Sequence, residues 1–353
     1  MNSSSTGVAL PKMVTVTRSL PLSDFTSSTI PEKLRKGDEI RVVAPVRSMA
    51  MLGQETINIA KANLEAMGLK VSFGEHVMEK DDFVSSSIES RVSDLEEAFE
   101  DKNVKGILTV IGGFNSNQLI RYIDYEKIKS NPKIFCGYSD VTILNNVFYK
   151  VAELVNYSGP HFSTFGMKKG LEYTAEYFKK CLFEEQPFEV AQSNEWSDDA
   201  WFLDQEKREF IKNIGYRVIS GGEAVGEIVG GNLCTINLLQ GTEFMPELSG
   251  KILFVEDDAE TKPHLFDRDL QSLLQQEGGD ELAGVIIGRF QKKSEMKPEL
   301  LDKIIRTKEE LEGVPVIADA SFGHTEPKIT FPIGGRAELS ALEGTVRLKI
   351  VEN

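Results

Sequence analysis

From Lys33 onward, short apolar runs alternate with amphipathic stretches, and the alternation predicts strands and helices in turn. Asp38-Glu-Ile-Arg-Val-Val-Ala-Pro45 reads as a first strand closed by a proline turn. Between Glu55 and Leu69, Ile57, Ala60, Leu64 and Met67 recur at helical spacing, and Gly68 suits the end of that helix. Val71-Ser-Phe73 predicts a second strand. Ile88 to Phe99 predicts a second helix, with Val92, Leu95, Ala98 and Phe99 on one face. Gly106 to Ile111 and Lys133 to Cys136 read as buried strands. Such alternation predicts an α/β domain whose mainly parallel, Rossmann-like sheet carries helices on both faces.

The pattern changes between about Glu184 and Gly221. This stretch is polar, holds Pro187, Trp196 and Trp201, and ends in Gly221-Gly222. It reads as a connection with little regular structure. Beyond it, Lys251 to Val255, Gly284 to Ile287 and Val314 to Ile317 predict strands, while Leu265 to Gln276 and Pro298 to Glu310 predict helices. The expected organisation is a polar arm over 1–32, a domain over 33–185, a connecting segment over 186–220 and a smaller, β-rich α/β domain over 221–353.

Composition narrows the function. The chain has 353 residues, with 40 Lys and Arg against 55 Asp and Glu, for a net charge of −15. That length suits two domains, since single cores stop growing at roughly 250–300 residues. The acidity disfavours nucleic-acid polymers and anionic lipid surfaces as partners. Cys136, Cys181 and Cys234 are widely spaced and form no Cys-x-x-Cys pair. A disulfide framework or zinc ribbon is not expected, and a reducing compartment is. No apolar run reaches the roughly 18 residues of a membrane span. The first 30 residues lack the apolar core of a signal peptide, so a cytoplasmic location is expected.

The richest chemistry lies in Ile134-Phe-Cys-Gly-Tyr-Ser-Asp-Val-Thr-Ile143. A strand runs into a glycine, then Ser139, then Asp140 at the start of an apolar helix over Val141 to Val151. A serine on such a turn stands at the carboxyl edge of a sheet, where backbone N–H groups and the helix dipole stabilise an oxyanion. Plain capping by Ser139 and Asp140 fits the same residues. Val110-Ile-Gly-Gly-Phe-Asn-Ser-Asn117 is a second strand-to-glycine turn. Gly112 and Gly113 there permit close backbone approach to a ligand, or simply a tight turn.

A serine nucleophile needs a base. Of four histidines, His76 and His264 read as surface residues, and His161 follows a strand at Leu154 to Tyr157. His324 sits in a loop after the strand Val314 to Ile317, at the sheet end where α/β sites form, and is the best candidate. A carboxylate must orient it, and Phe254-Val-Glu-Asp-Asp-Ala-Glu260 supplies several after a buried strand. Glu256 leaves that strand first. No EF-hand, zinc-ligand, Walker A or Gly-x-Gly-x-x-Gly spacing is present, so neither a metal nor an organic cofactor is expected.

Taken together, these motifs resemble the LD-carboxypeptidase family of serine peptidases, and within it the microcin C self-immunity branch. The resemblance is carried by Val43-Ala-Pro45, Gly112-Gly113, Gly137-Tyr-Ser-Asp140, Gly230-Gly-Asn-Leu233, Gly241-Thr242, Glu256-Asp257, Asp267-Arg268, Phe322-Gly-His324 and Phe331-Pro-Ile-Gly334. It implies a Ser139–Glu256–His324 triad with an oxyanion hole from the N–H groups of Gly113 and Asp140. It implies a site in the cleft between the domains and a homodimer. Murein enzymes of the family read Arg-Gly-Gly-Tyr-Gly where this chain reads Ile111-Gly-Gly-Phe-Asn-Ser-Asn117. The latter form, with Glu195-Trp-Ser-Asp-Asp-Ala-Trp201, is similar to the immunity branch, whose members cleave an amide joining a peptide or amino acid to a nucleotide. Gly112, Asn115 and Trp201 would then meet the substrate, with Trp201 stacking on the base or packing a domain interface. Three alternatives stand beside this reading: a murein tetrapeptide carboxypeptidase, a catalytically silent binding protein of the same fold, and Cys136 as the nucleophile.

Overall fold

The computed structural model describes residues 28–342 and 344–353. The expected N-terminal sheet forms from β1 (Glu39–Val43), β2 (Lys70–Phe73), β3 (Val104–Thr109), β4 (Ile134–Gly137) and β5 (Asn156–Ser158). These five are parallel, in the order β5-β4-β3-β1-β2. Their crossovers include α1 (Gln54–Ala66), α2 (Ile88–Glu100), α3 (Tyr125–Ser130) and α4 (Thr142–Ala152), and α5 (Glu172–Leu182) follows the sheet. Ile40, Val42, Ile107, Leu108, Ile134 and Phe135 are fully buried, as strands covered on both faces must be.

The connection holds more order than its composition suggests. It contains four short strands, β6 (Phe188–Glu189), β7 (Glu195–Trp196), β8 (Ile211–Lys212) and β9 (Arg217–Ser220). β7 and β8 pair with each other, whereas β6 and β9 form the two edges of the C-terminal sheet. Strands of two to four residues are dictated by distant partners, so local pattern does not announce them.

The C-terminal part comprises β10 (Gly222–Asn232), α6 (Leu233–Ile236), β11 (Ile252–Glu256), α7 (Pro263–Leu274), β12 (Gly284–Gly288), α8 (Pro298–Arg306), β13 (Val316–Ala320), β14 (Phe331–Ile333), β15 (Arg336–Leu342) and β16 (Thr345–Glu352). Its sheet has eight strands in the order β6-β16-β15-β10-β11-β12-β13-β9. β10 to β13 are parallel; the flanking strands are antiparallel. β14 leaves this part of the chain and pairs with β5, extending the N-terminal sheet. Pro332 is accommodated there because β14 is an edge strand.

α4 fastens the two parts together. Asn146 Nδ2 donates to Gly230 O at 2.8 Å, and Gly230 N donates to Asn146 Oδ1 at 3.2 Å. Asn232 N donates to Thr142 Oγ1 at 2.9 Å, and Tyr149 donates to Glu227 at 2.8 Å. Gly231, at φ +128°, lies so close to Thr142 that a Cβ would fall 2.9 Å from its methyl group. The Gly-Gly-Asn run is therefore a docking surface for the helix that begins beside Ser139.

Candidate active site

β4 delivers Ser139. The strand ends at Gly137, and Ser139 adopts φ +59°, a left-handed conformation that costs a serine roughly 1–3 kcal/mol. A short 3-10 turn over Ser139–Val141 leads into α4. The Asp140 N–H therefore lies in a first helical turn, where N–H groups have no partner within the helix. The Asp140 carboxylate turns away, accepting from Ser116 N at 2.8 Å. That bond ties the Ser139 turn to the Gly112-Gly113 loop. A Cβ on Gly112 would lie 2.8 Å from Ser139 Cβ and 2.9 Å from its Oγ, so no larger residue fits beside the hydroxyl.

The other two groups come from the C-terminal sheet. Glu256 is the last residue of β11 and is buried. His324 lies in the loop after β13, held by Phe322 against Phe254 and Phe331 at ring distances of 5.6 and 5.2 Å. His324 Nδ1 is 2.8 Å from Glu256 Oε2, and His324 Nε2 is 3.0 Å from Ser139 Oγ. Gly323, at φ +96°, makes the approach possible, since a Cβ there would sit 2.5 Å from Glu256 Oε2. Burial works against protonating His324, but the charge and hydrogen bond of Glu256, with Asp258 adding, outweigh it and raise its pKa above the ordinary imidazole value. Asn232 Nδ2 donates to Glu256 Oε1 at 3.2 Å. Asp257 is buried beside it rather than solvated, and burial together with the Glu256 charge pushes its pKa up to about 7.

Other sequence candidates lie apart from this chain of bonds. Cys136 is wholly buried in β4, and burial pushes its thiol well above the ordinary range, which is poor preparation for a nucleophile. His161 is buried, with Nδ1 2.7 Å from Thr109 Oγ1 and its ring stacked on Tyr138 at 4.3 Å. His76 bonds Asp94 at 2.7 Å, and His264 is exposed. The Asn115 side chain is buried and donates to Ser85 Oγ at 3.1 Å, so it braces its loop. The sequence pattern gives Asn232, Tyr138 and Lys328 no role. The Tyr138 ring lies 5.3 Å from the His324 ring and 5.0 Å from the buried Lys328 ammonium. The asparagine directly after Gly230-Gly231 was the available signal.

The two tryptophans differ. Trp196 lies under Arg289 and Lys292, whose cationic groups are 5.0 and 5.8 Å from its ring centroid, and is spent on packing. Trp201 is half-buried in a turn, with Phe202 as a ring neighbour at 6.1 Å. Its segment is strapped across the molecule. Ser197 and Glu326 exchange backbone hydrogen bonds of 2.7 and 3.0 Å, two residues beyond His324, and Gln205 donates to Gly166 O at 2.8 Å.

Residues 40–159 match the LD-carboxypeptidase N-terminal domain, and residues 225–339 match the LD-carboxypeptidase C-terminal domain. The Bacillus subtilis protein YocD, whose name assigns it to the carboxypeptidases, is 56% identical over 318 residues, covering 90% of this chain and 98% of its own. The MccF-like protein of Bacillus anthracis str. Ames has a crystal structure with a TM-score of 0.91 and 52% identity, covering 92% of this chain and 100% of that one. The microcin C7 self-immunity protein MccF of Escherichia coli is 30% identical over 285 residues, 77% of this chain and 81% of its own. MccF has been solved in complex with glutamyl sulfamoyl guanosine, and that structure has a TM-score of 0.83 and 26% identity, covering 92% of this chain and 98% of that one. With both domains matched and relatives this similar along most of its length, the chain belongs to the LD-carboxypeptidase family and is a serine-type carboxypeptidase.

Proposed function

We propose that this peptidase uses Ser139, His324 and Glu256 to cleave the amide joining a peptidyl or aminoacyl group to a nucleotide. Ser139 Oγ attacks the carbonyl while His324 Nε2 takes its proton. Glu256 holds the imidazole in the required tautomer and stabilises the imidazolium. The N–H groups of Gly113 and Asp140 receive the oxyanion, each worth roughly 3–4 kcal/mol. His324 then returns the proton to the leaving amine, and water releases the acyl group by the same steps in reverse order. Every proton in this scheme travels on a protein side chain.

The observation that carries the triad is the unbroken run of 3.0 and 2.8 Å contacts from Ser139 through His324 to Glu256. The nucleotide assignment is supported by the ligand of the MccF complex, an aminoacyl sulfamoyl nucleoside, and by Trp201 on the strap beside the His324 loop. A cytoplasmic homodimer is the setting we propose for it. The test is a side-by-side assay of a peptidyl-aminoacyl-nucleotide and a murein tetrapeptide, with products identified by mass. Release of the nucleotide-bearing amine is expected. Release of D-alanine from the tetrapeptide alone would make this a murein enzyme.

A further inference from the structure

Arg47 stands against the proposed oxyanion turn and has no ionic partner among the described residues. A Cβ on Gly113 would lie 3.0 Å from Arg47 Cγ, so the stem of the arginine packs directly on the backbone proposed to receive the oxyanion. Its guanidinium lies 5.8 Å from the ring centroid of Phe114, the next residue of that turn. Phe114 in turn meets Phe83 edge-on, with ring centroids 6.2 Å apart. Both rings face solvent, at 48% and 67% exposure. Arg41, Arg208 and Arg217 each grip a carboxylate, whereas Arg47 has none among the described residues.

The surroundings hold this group in place. Ser85 Oγ donates to Val46 O at 2.6 Å, and Ser48 N donates to Val84 O at 2.8 Å. Asn115 Nδ2 donates to Ser85 Oγ at 3.1 Å, so the Phe83 loop, the Arg47 segment and the Phe114 turn are mutually braced. Asp81 Oδ1 is committed to the N–H groups of Phe83 and Ser85, each at 2.9 Å. In a chain of net charge −15, an anionic substrate meets general repulsion, and Arg47 offers it a cation that no carboxylate of the described residues neutralises.

We propose that Arg47, Phe114 and Phe83 form an anion subsite beside the oxyanion turn. It takes a carboxylate or phosphate group of the substrate, with the adjoining planar or apolar portion covering the two rings. The guanidinium suits either oxyanion through paired N–H donors, and the rings suit what is attached to it. The subsite rests on the proposed placement of the reacting carbonyl between Ser139 and Gly113. It adds polarity to that reading, since the charged end of the substrate lies toward the N-terminal domain.

The experiment uses Ser139→Ala protein, which binds without turnover, and two probe pairs in calorimetric titrations. Adenosine monophosphate is compared with adenosine, and a murein-type tetrapeptide free acid with its C-terminal amide. At least one charged probe should bind about tenfold or more tightly than its neutral partner. Adding Arg47→Gln should bring that ratio close to one, and Arg47→Lys should keep part of it. Arg47→Met, which keeps the stem against Gly113, carries the test should the glutamine variant not fold. The pair that responds tells phosphate from carboxylate. If the adenosine probes do not bind while the tetrapeptide acid binds through Arg47, the nucleotide reading fails and the subsite stands. No preference for either charged probe, or a preference untouched by removing the Arg47 charge, overturns the subsite.

Discussion

Ser139 is positioned by its own backbone: β4 stops at Gly137, the serine turns left-handed, and Gly112 leaves space at its hydroxyl. His324 is positioned by other side chains, through Glu256 on Nδ1 and the Phe254–Phe322–Phe331 cluster behind its loop. The first arrangement is complete within the N-terminal sheet and its turns. The second is aimed across the domain boundary, where it depends on α4 seating against Gly230 to Asn232. The proposed nucleophile and base therefore fail differently. Damage to the serine side removes chemistry, while damage to the histidine side also changes orientation and protonation.

The largest effects should come from the reacting pair itself. Ser139→Ala or His324→Ala should each lower kcat by about 10⁴–10⁶, because groups acting as one unit lose the same step. Thermal unfolding of both variants should match the parent. A Ser139→Ala protein with near-parental turnover would end the proposed mechanism.

Glu256→Gln comes next, at about 10⁴ in kcat, since an amide fails to hold the imidazole in its working tautomer. Asp258→Asn should change kcat only a few-fold. Protonation removes the base, so kcat/KM should rise with pH through the His324 pKa, which lies above the ordinary imidazole value. In Glu256→Gln that rise should move to lower pH, and an unmoved limb would assign it to another group.

Asp257 sharpens the comparison at the level of stability. Its folded-state pKa is raised to about 7, so its favourable contribution is complete below the unfolded carboxyl pKa and disappears as pH rises through 7. Asp257→Asn stays neutral and should gain stability relative to the parent between about pH 5 and about pH 8, by about 2–3 kcal/mol. Denaturant unfolding at the two pH values measures it. An equal difference at both would mean that the parent carboxyl does not titrate in that window.

Asn146→Ala tests the seat of α4. It removes the paired bonds to Gly230 and leaves a buried backbone N–H and carbonyl unmatched, at a cost of about 1–3 kcal/mol. Activity should fall beyond what stability explains, because the seat aligns Ser139 with His324. Normal kcat/KM at full folding would separate domain docking from catalysis. Trp201→Ala should have the smallest and most selective effect. Stacking on a base is worth roughly 1–3 kcal/mol, so nucleotide-bearing substrates should weaken about 5- to 150-fold and others much less. Equal losses, or a lowered melting temperature, would make Trp201 a packing residue.

Much of the fold was legible because parallel strands buried on both faces advertise themselves. β1, β3, β4, β11 and β12 are short apolar runs, and α1 and α2 carry one apolar face each. β10 was not legible, since Gly226, Gly230 and Gly231 dilute its apolar pattern, and their reasons lie in α4 and β11. β14 was hidden by Pro332 and by pairing with a strand more than 150 residues away, Phe331 with Ser158. β15 does alternate, with Ala337, Leu339 and Ala341 buried, but alanines give that period little contrast. The serine, the glutamate and the histidine could be nominated because each follows an apolar strand at its carboxyl end. Asn232 is marked only by the two glycines before it, because its partner Glu256 is adjacent only through strand pairing.

The order of apolar runs and turns by itself determined the two α/β layers and brought Ser139, Glu256 and His324 to strand ends, because local periodicity decides which segments can bury a face. The distances among the three are a different matter. A 3.0 Å contact between residues 185 positions apart depends on how α4 seats on β10, on which sheet β14 joins, and on glycines that yield space to a distant side chain. That Arg47 has no carboxylate partner among the described residues is likewise tertiary. Nothing in Pro-Val-Arg-Ser says which charges will come near, and only packing against Gly113 and Phe114 set it apart from carboxylates. Pattern encodes what each segment buries, whereas close-packing and hydrogen bonding between segments decide which chemical groups meet.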